Sequence, residues 1–125
     1  MNQNLILSNL PHVWILDLDG TLVKHNHYKN GEDIWLDGAL DFVRNIPDSD
    51  YVLILTGRES KYKKQTLDFL KKYSIRFNNI IFDMPLGERI LINDNKPSGL
   101  NCAQSLSLIR DKGLSNITIK VNNAL

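Results

Sequence analysis

A chain of 125 residues, 42% hydrophobic and 23% charged, has the make-up of a globular protein. That length can bury about two thirds of the unfolded surface without a metal or disulfide staple, but it leaves no room for a second substrate-binding domain, so one domain over residues 1–125 is expected. The net charge of +1, from 15 Lys and Arg against 14 Asp and Glu, argues against bulk electrostatic attraction to nucleic acid or membrane.

The single cysteine, Cys102, cannot form an internal disulfide. The first basic residue is Lys24, so the N-terminal region lacks the basic segment of a signal peptide, and no run approaches the about 20 apolar residues of a membrane span. A cytoplasmic location is therefore expected. The Asn116-Ile117-Thr118 sequon is taken as chance in such a chain.

In chain order, the apolar run 13–16 ending at Asp17 predicts a strand buried on both faces. The polar stretch that follows contains Asn30-Gly31, a two-residue hairpin signal, and predicts a small flap over about 22–36. Ala39, Leu40, Val43 and Ile46 have helical spacing before Pro47, predicting a helix over about 38–45. Residues 51–55 form a second apolar strand ending in Thr56-Gly57-Arg58. The next helix, over 59–73, has Tyr62, Phe69, Leu70 and Tyr73 on one face, with Glu59–Lys63 and Asp68–Lys72 as possible i,i+4 pairs.

A short strand is predicted at 80–82, and the connection from Phe82 to Arg89 is too short for a crossover helix. The run 90–92 predicts another strand, ending in Asn93-Asp94-Asn95. A third helix is expected over 101–112, burying Cys102, Leu106 and Ile109 and closed by Gly113. Alternation of Ile117, Ile119 and Val121 predicts an edge strand. Alternating strands and helices predict an α/β fold with about five mostly parallel strands covered by helices on both faces. Its ligand site would lie beyond the carboxyl ends of the strands, where the three polar clusters would converge.

Asp17 and Asp19 can serve one site only if the chain turns between or just after them, which Gly20 permits and Thr21 can fasten. One carboxylate could then attack an electrophile while the other transfers protons. Thr56, Gly57 and Arg58, leading into a helix, offer a hydroxyl, backbone amides and a positive charge to an anion. Asp17 and Asp94, with backbone and water oxygens, would suit Mg²⁺.

These residues carry a resemblance. Asp17-Leu18-Asp19-Gly20-Thr21-Leu22 after an apolar strand resembles the first motif of the haloacid dehalogenase (HAD) superfamily. Leu55-Thr56-Gly57-Arg58 is similar to its second motif, and Ile90-Leu91-Ile92-Asn93-Asp94-Asn95-Lys96-Pro97 to the fourth motif of its small phosphatases. The resemblance covers about residues 13–119 and implies a Rossmann-like sheet and an aspartyl-phosphate mechanism. Asp17 would be the nucleophile, Asp19 the general acid and base, and Thr56 a holder of phosphate oxygen. Gly20, Gly57 and Arg58 would line the substrate site, and Mg²⁺ would be held by Asp17, the carbonyl of Asp19 and Asp94.

The resemblance implies a capless member, because both insertion points are too short for a cap domain. Two departures stand out. Asp94 is flanked by Asn93 and Asn95 where the motif often has a second acid, and the helix that should bring the third-motif lysine has no room. Lys96 is the first candidate for that role, followed by Arg76 and Arg89. The implied substrate is a small phosphorylated metabolite, a sugar phosphate first. Residues 87–97 are also similar to small phosphatases found with bacterial surface-polysaccharide synthesis. Alternatives are a polynucleotide-end phosphatase and a catalytically weak phosphometabolite-binding or regulatory module. Nucleic acid and membrane are not expected partners, and the sequence leaves the oligomeric state open.

Other tempting residues read as structural. His25 and His27 lack a third zinc ligand at a recognisable spacing and are assigned to the flap, where contact with substrate is an open option. Lys61, Lys63, Lys64, Lys71 and Lys72 are expected on a solvated helix face, Trp14 and Trp35 in packing, and Cys102 in the core.

Overall fold

The computed structural model describes residues 2–125. It is an α/β structure with five strands, every strand pairing parallel, distributed over two sheets. The chain forms two compact units. One consists of the chain through Leu10 with Gly87–Ser107 and Asn116–Leu125; the other of Pro11–Leu86 with Leu108–Ser115. No helix among the described residues is long and apolar enough to cross a membrane.

The larger unit contains β2 (Val13–Asp17), α1 (Ala39–Arg44), β3 (Tyr51–Leu55), α2 (Lys63–Lys72) and β4 (Asn79–Ile81) in sheet order β2-β3-β4. Asp17 lies opposite Leu55, and Leu55 opposite Ile81, so the carboxyl ends of the three strands lie side by side. Even-numbered Leu16, Val52 and Ile54 are buried with Val43 of α1 and with Phe69 and Leu70 of α2. The Trp14 ring meets Phe42 edge to face at 5.8 Å.

The odd face departs from expectation. Val13 is 64% and Ile15 47% exposed, so β2 is not buried on both faces, and Tyr51 and Ile81 are exposed as well. The expected helices on both faces reduce to one helical layer in this unit. The cause is topological: successive right-handed crossovers that step in one direction along a parallel sheet deposit both helices on the same side.

The expected flap forms, with a different tip. Lys24 N–H donates to Ile34 O and Leu36 N–H to Leu22 O, both at 2.9 Å, and Val23 bridges Trp35 antiparallel. Asn30 has φ −118°, so Asn30-Gly31 does not form the expected primed turn; a 3₁₀ turn at His27–Lys29 rounds the tip. Long-range contacts override the local signal. Tyr28 and Asp33 are buried, Gln65 of α2 donates to Tyr28 O at 2.9 Å, and Trp35 stacks on Phe69 at 5.3 Å.

The helix expected over 59–73 appears as a 3₁₀ turn, Ser60–Tyr62, running into α2. Its five lysines are exposed as expected. Their partners differ from those expected: Lys64 pairs with Asp68 at 2.6 Å, Lys61 with Glu59 at 3.9 Å, and Lys72 with Glu32 of the flap at 2.6 Å.

In the smaller unit, β1 (Gln3–Leu7) pairs in parallel with β5 (Ile117–Val121), Leu5 opposite Ile119. Strand β1 was not expected; its five residues begin with two polar side chains and show only a short apolar stretch. The strand expected at 90–92 does not form. Ile90 and Ile92 are 82% and 90% exposed, and no neighbouring strand among the described residues supplies a hydrogen-bond ladder. Asn95 instead bridges Asn101, closing a turn through Gly99 at φ +98°.

The helix expected over 101–112 is also absent, because its backbone groups are committed elsewhere. Asn101 is held in that bridge, and Asp111 takes a left-handed φ of +63° and sends its N–H to Gly20 O at 2.9 Å. Cys102 and Leu106 are half-buried and Ile109 is exposed, so the expected buried stripe does not exist. The connection after Phe82 contains no helix, as its length requires.

Candidate active site

The loop after β2 is wound tightly around one carbonyl. Leu18 O accepts from the N–H groups of Thr21, Leu22 and Val23 at 3.3, 2.9 and 3.1 Å, while Leu18, Leu22 and Val23 bury their side chains. Gly20 has φ +82°, a conformation that an L side chain rarely adopts. The turn that two aspartates at i and i+2 require is thus present. Thr21 Oγ1 donates to Asp17 Oδ2 at 2.9 Å, which orients the Asp17 carboxylate at the strand end.

Asp19 is held by Arg58. Arg58 Nε and Nη2 donate to its two carboxylate oxygens at 3.0 and 2.9 Å, and Nη1 and Nη2 grip Asp33 of the flap at 3.0 and 2.7 Å. A further bond from Nη1 reaches Thr66 Oγ1 at 2.9 Å, so all five guanidinium N–H groups have acceptors. The Tyr28 ring lies 4.0 Å from the guanidinium carbon. Burial alone would lower the Arg58 pKa, but the hydrogen bonds and charges of Asp19 and Asp33 outweigh it and raise it. Burial, and then the Asp19 carboxylate, push the Tyr28 phenol up.

Arg58 was expected to offer its charge to an anion. It is 1% exposed and neutralises two carboxylates instead. Its partner Asp33 lies 25 positions away inside a polar loop and carried no sequence signal. Thr56, beside Asp17 across the two strand ends, is buried and its hydroxyl accepts the Arg58 N–H at 3.1 Å, which leaves its own proton to donate. The start of the helical segment already faces a carboxylate: Ser60 N–H donates to Asp83 Oδ1 at 3.0 Å, and the Ser60 hydroxyl also bonds Asp83. Gly57 lies against Leu86, whose Cδ2 would meet an added Cβ at 2.8 Å.

Asp94, Lys96 and Arg89 belong to the smaller unit and are exposed. There Asn93 Nδ2 donates to Asp94 O at 3.2 Å, and Lys96 N–H donates to Leu100 O at 3.0 Å. Arg76 is tied to the amino end of β3, donating to Pro47 O and Asp50 O at 2.9 and 3.1 Å, the opposite end of the sheet from Asp17. It braces that loop and has no place at the aspartates.

His27 Nδ1 lies 2.6 Å from Glu32 O, and His25 Nδ1 is buried without a hydrogen-bond partner. Sequence reasoning missed Arg110, assigned there to a helix, whose Cγ and Nε would lie 3.1 and 3.6 Å from a Cβ built on Gly20.

For a metal, the larger unit offers hard oxygen donors: the Asp17 carboxylate and the main-chain carbonyl of Asp19. That chemistry fits Mg²⁺, which takes one or two carboxylates and keeps several waters. No group of three or more His, Cys, Asp or Glu residues among the described residues is arranged to hold a metal ion. Compared with protein-family models, curated proteins and solved structures, the chain matches none.

Proposed function

We propose that this chain is a phosphoric monoester hydrolase of the capless HAD type, with a Rossmann-like core, acting on a small phosphorylated metabolite, a sugar phosphate first. The observation that carries this reading is the pair of differently held carboxylates on one glycine turn. Asp17 is oriented by a hydroxyl, and Asp19 is gripped by a buried arginine. Two such environments can separate a nucleophile from an acid and base.

In this mechanism an Asp17 oxygen attacks phosphorus, the bond to the leaving oxygen breaks, and that oxygen takes a proton relayed from water through Asp19. Asp19 then takes a proton from water as the water attacks phosphorus and passes it to solvent, releasing phosphate and restoring Asp17. Each Asp19 oxygen keeps a second lone pair beyond its bond to Arg58, so the grip orients the carboxyl without blocking proton transfer. Thr56 donates its hydroxyl to a phosphate oxygen. Mg²⁺, held by Asp17 and the Asp19 carbonyl, would offset the negative charge of nucleophile and phosphoryl group.

The lysine-rich face does not favour a polynucleotide-end phosphatase, since Lys64 and Lys72 are already paired with acids. The test is a screen over sugar phosphates, nucleotides and DNA 3′-phosphates with Mg²⁺, using the intact chain and Asp17→Asn. Turnover of a sugar phosphate that vanishes in Asp17→Asn is expected. Turnover indifferent to that substitution overturns the nucleophile assignment, and absence of turnover on every substrate favours a phosphometabolite-binding module.

A further inference from the structure

The expected basic candidates leave a gap in the larger unit. Arg58 is consumed by Asp19 and Asp33, and Arg76 sits at the wrong end of the sheet. We propose that Arg110 fills that gap, its guanidinium being the positive charge that a phosphoryl group meets beside Asp17. This inference rests on the phosphatase reading of the same site.

Three observations carry it. First, the backbone at Arg110 is anchored to the aspartate turn itself. Asp111 N–H donates to Gly20 O at 2.9 Å, and Asp111 Oδ1 accepts the His25 N–H at 2.9 Å. Secondly, the anchor is reinforced further along. Leu114 N–H donates to Asp37 O at 2.8 Å, Ser115 Oγ to Asp37 Oδ2 at 2.7 Å, and Gly113 lies so close to Asp37 that an added Cβ would come 2.1 Å from its carbonyl oxygen.

Thirdly, the Arg110 side chain runs over Gly20, the residue between Asp19 and Thr21 in the chain, and Thr21 is bonded to Asp17. Arg110 is exposed, and among the described residues no ion pair holds its guanidinium. A charged fork fixed at its base and open at its tip is suited to bidentate recognition of phosphate oxygens. A Cβ at Gly20 would come 3.1 Å from Arg110 Cγ, so a side chain there would displace the arginine by a few tenths of an ångström as well as strain the positive φ.

The experiment compares the intact chain with Arg110→Ala, Arg110→Lys and Asp17→Asn, each checked for an unchanged melting midpoint. Binding of inorganic phosphate in the presence of Mg²⁺ is measured by calorimetry, and turnover of a phosphate monoester separately. Arg110→Ala is expected to weaken phosphate binding about ten- to a hundredfold, as loss of a charge-assisted contact does. Arg110→Lys should recover part of it, and added guanidinium ion should partly restore binding to Arg110→Ala but not to the intact chain.

Unchanged phosphate affinity in Arg110→Ala, or no binding by the intact chain, overturns the proposal. The two readings fail separately. Phosphate binding lost in Arg110→Ala without turnover by any form sinks the phosphatase and keeps the anion site. Turnover that needs Asp17 but ignores Arg110 does the reverse.

Discussion

The two units hold their candidate site residues in different ways. In the larger unit long-range bonds fix the key charged groups: Arg58 joins residues from three separate stretches of chain, and Asp50 accepts from His12 N–H and Trp14 Nε1 at 3.0 and 2.9 Å. In the smaller unit Asn93 Nδ2 bonds to its neighbour Asp94, and Ile90 and Ile92 face solvent. A chemically suggestive residue therefore gains positional meaning from what grips it, and the side-chain grip of Arg58 on Asp19 has no counterpart at Asp94 among the described residues.

The contrast can be broken or sharpened by experiment. The largest effect is expected from Asp17→Asn, which should lower turnover by about a thousandfold or more while leaving the melting midpoint within a few degrees. An undiminished rate would detach the grip on Asp17 from function. Next, Arg58→Ala leaves the Asp19 and Asp33 carboxylates without their counter-charge and should cost about 3–5 kcal/mol in urea unfolding. A loss below about 1 kcal/mol would show that the network is ornamental. Leu70→Ala, in the buried face of α2, should cost about 2–5 kcal/mol by the same measurement.

A smaller effect is tied to pH. Burial would raise the Asp50 pKa, but the hydrogen bonds from Trp14 and His12 and the nearby His12 ring outweigh it and hold the carboxyl below its ordinary value. The folded value is thus below the unfolded one, so the stabilisation is complete above the unfolded pKa of about 4 and disappears as pH falls through the folded value. Asp50→Asn should flatten the acid limb of a stability-versus-pH curve and leave its neutral part with a deficit of about 1–3 kcal/mol. An unaltered acid limb would remove Asp50 from the set of fixed groups. Smallest of all, Ile92→Ser in the other unit should change stability by less than about 0.5 kcal/mol. A loss above 2 kcal/mol would mean that Ile92 is buried in solution and the contrast between units is false.

Legibility followed the same division. The runs 13–16 and 51–55 form strands and Phe69 and Leu70 share a buried helical face, as local pattern against an apolar layer predicts, although β2 is buried on one face where two were expected. The turn between the aspartates was readable because Gly20 and Thr21 are the residue types that such a turn needs. The fate of Arg58 was not readable, since Asp33 comes to it only through tertiary packing of the flap. The periodicity of Cys102, Leu106 and Ile109 matched a helix, yet Asp111 is bonded to the aspartate turn and breaks it. A pattern of side chains states what a helix would bury, and says nothing of where the backbone bonds will go.

The strap Leu108–Ser115 has a consequence for how the larger unit is made. Its body ends at Leu86, and the chain spends Gly87–Ser107 elsewhere before it returns. During synthesis the aspartate turn therefore emerges well ahead of Asp111, Leu114 and Ser115, which bind Gly20, Asp37 and His25. A ribosome-bound or proteolytically shortened chain ending before Leu108 would carry Asp17, Asp19 and Arg58 yet lack the piece that closes over them. Completion of the site has to wait until the chain has passed Gly87–Ser107 and the strap itself has emerged.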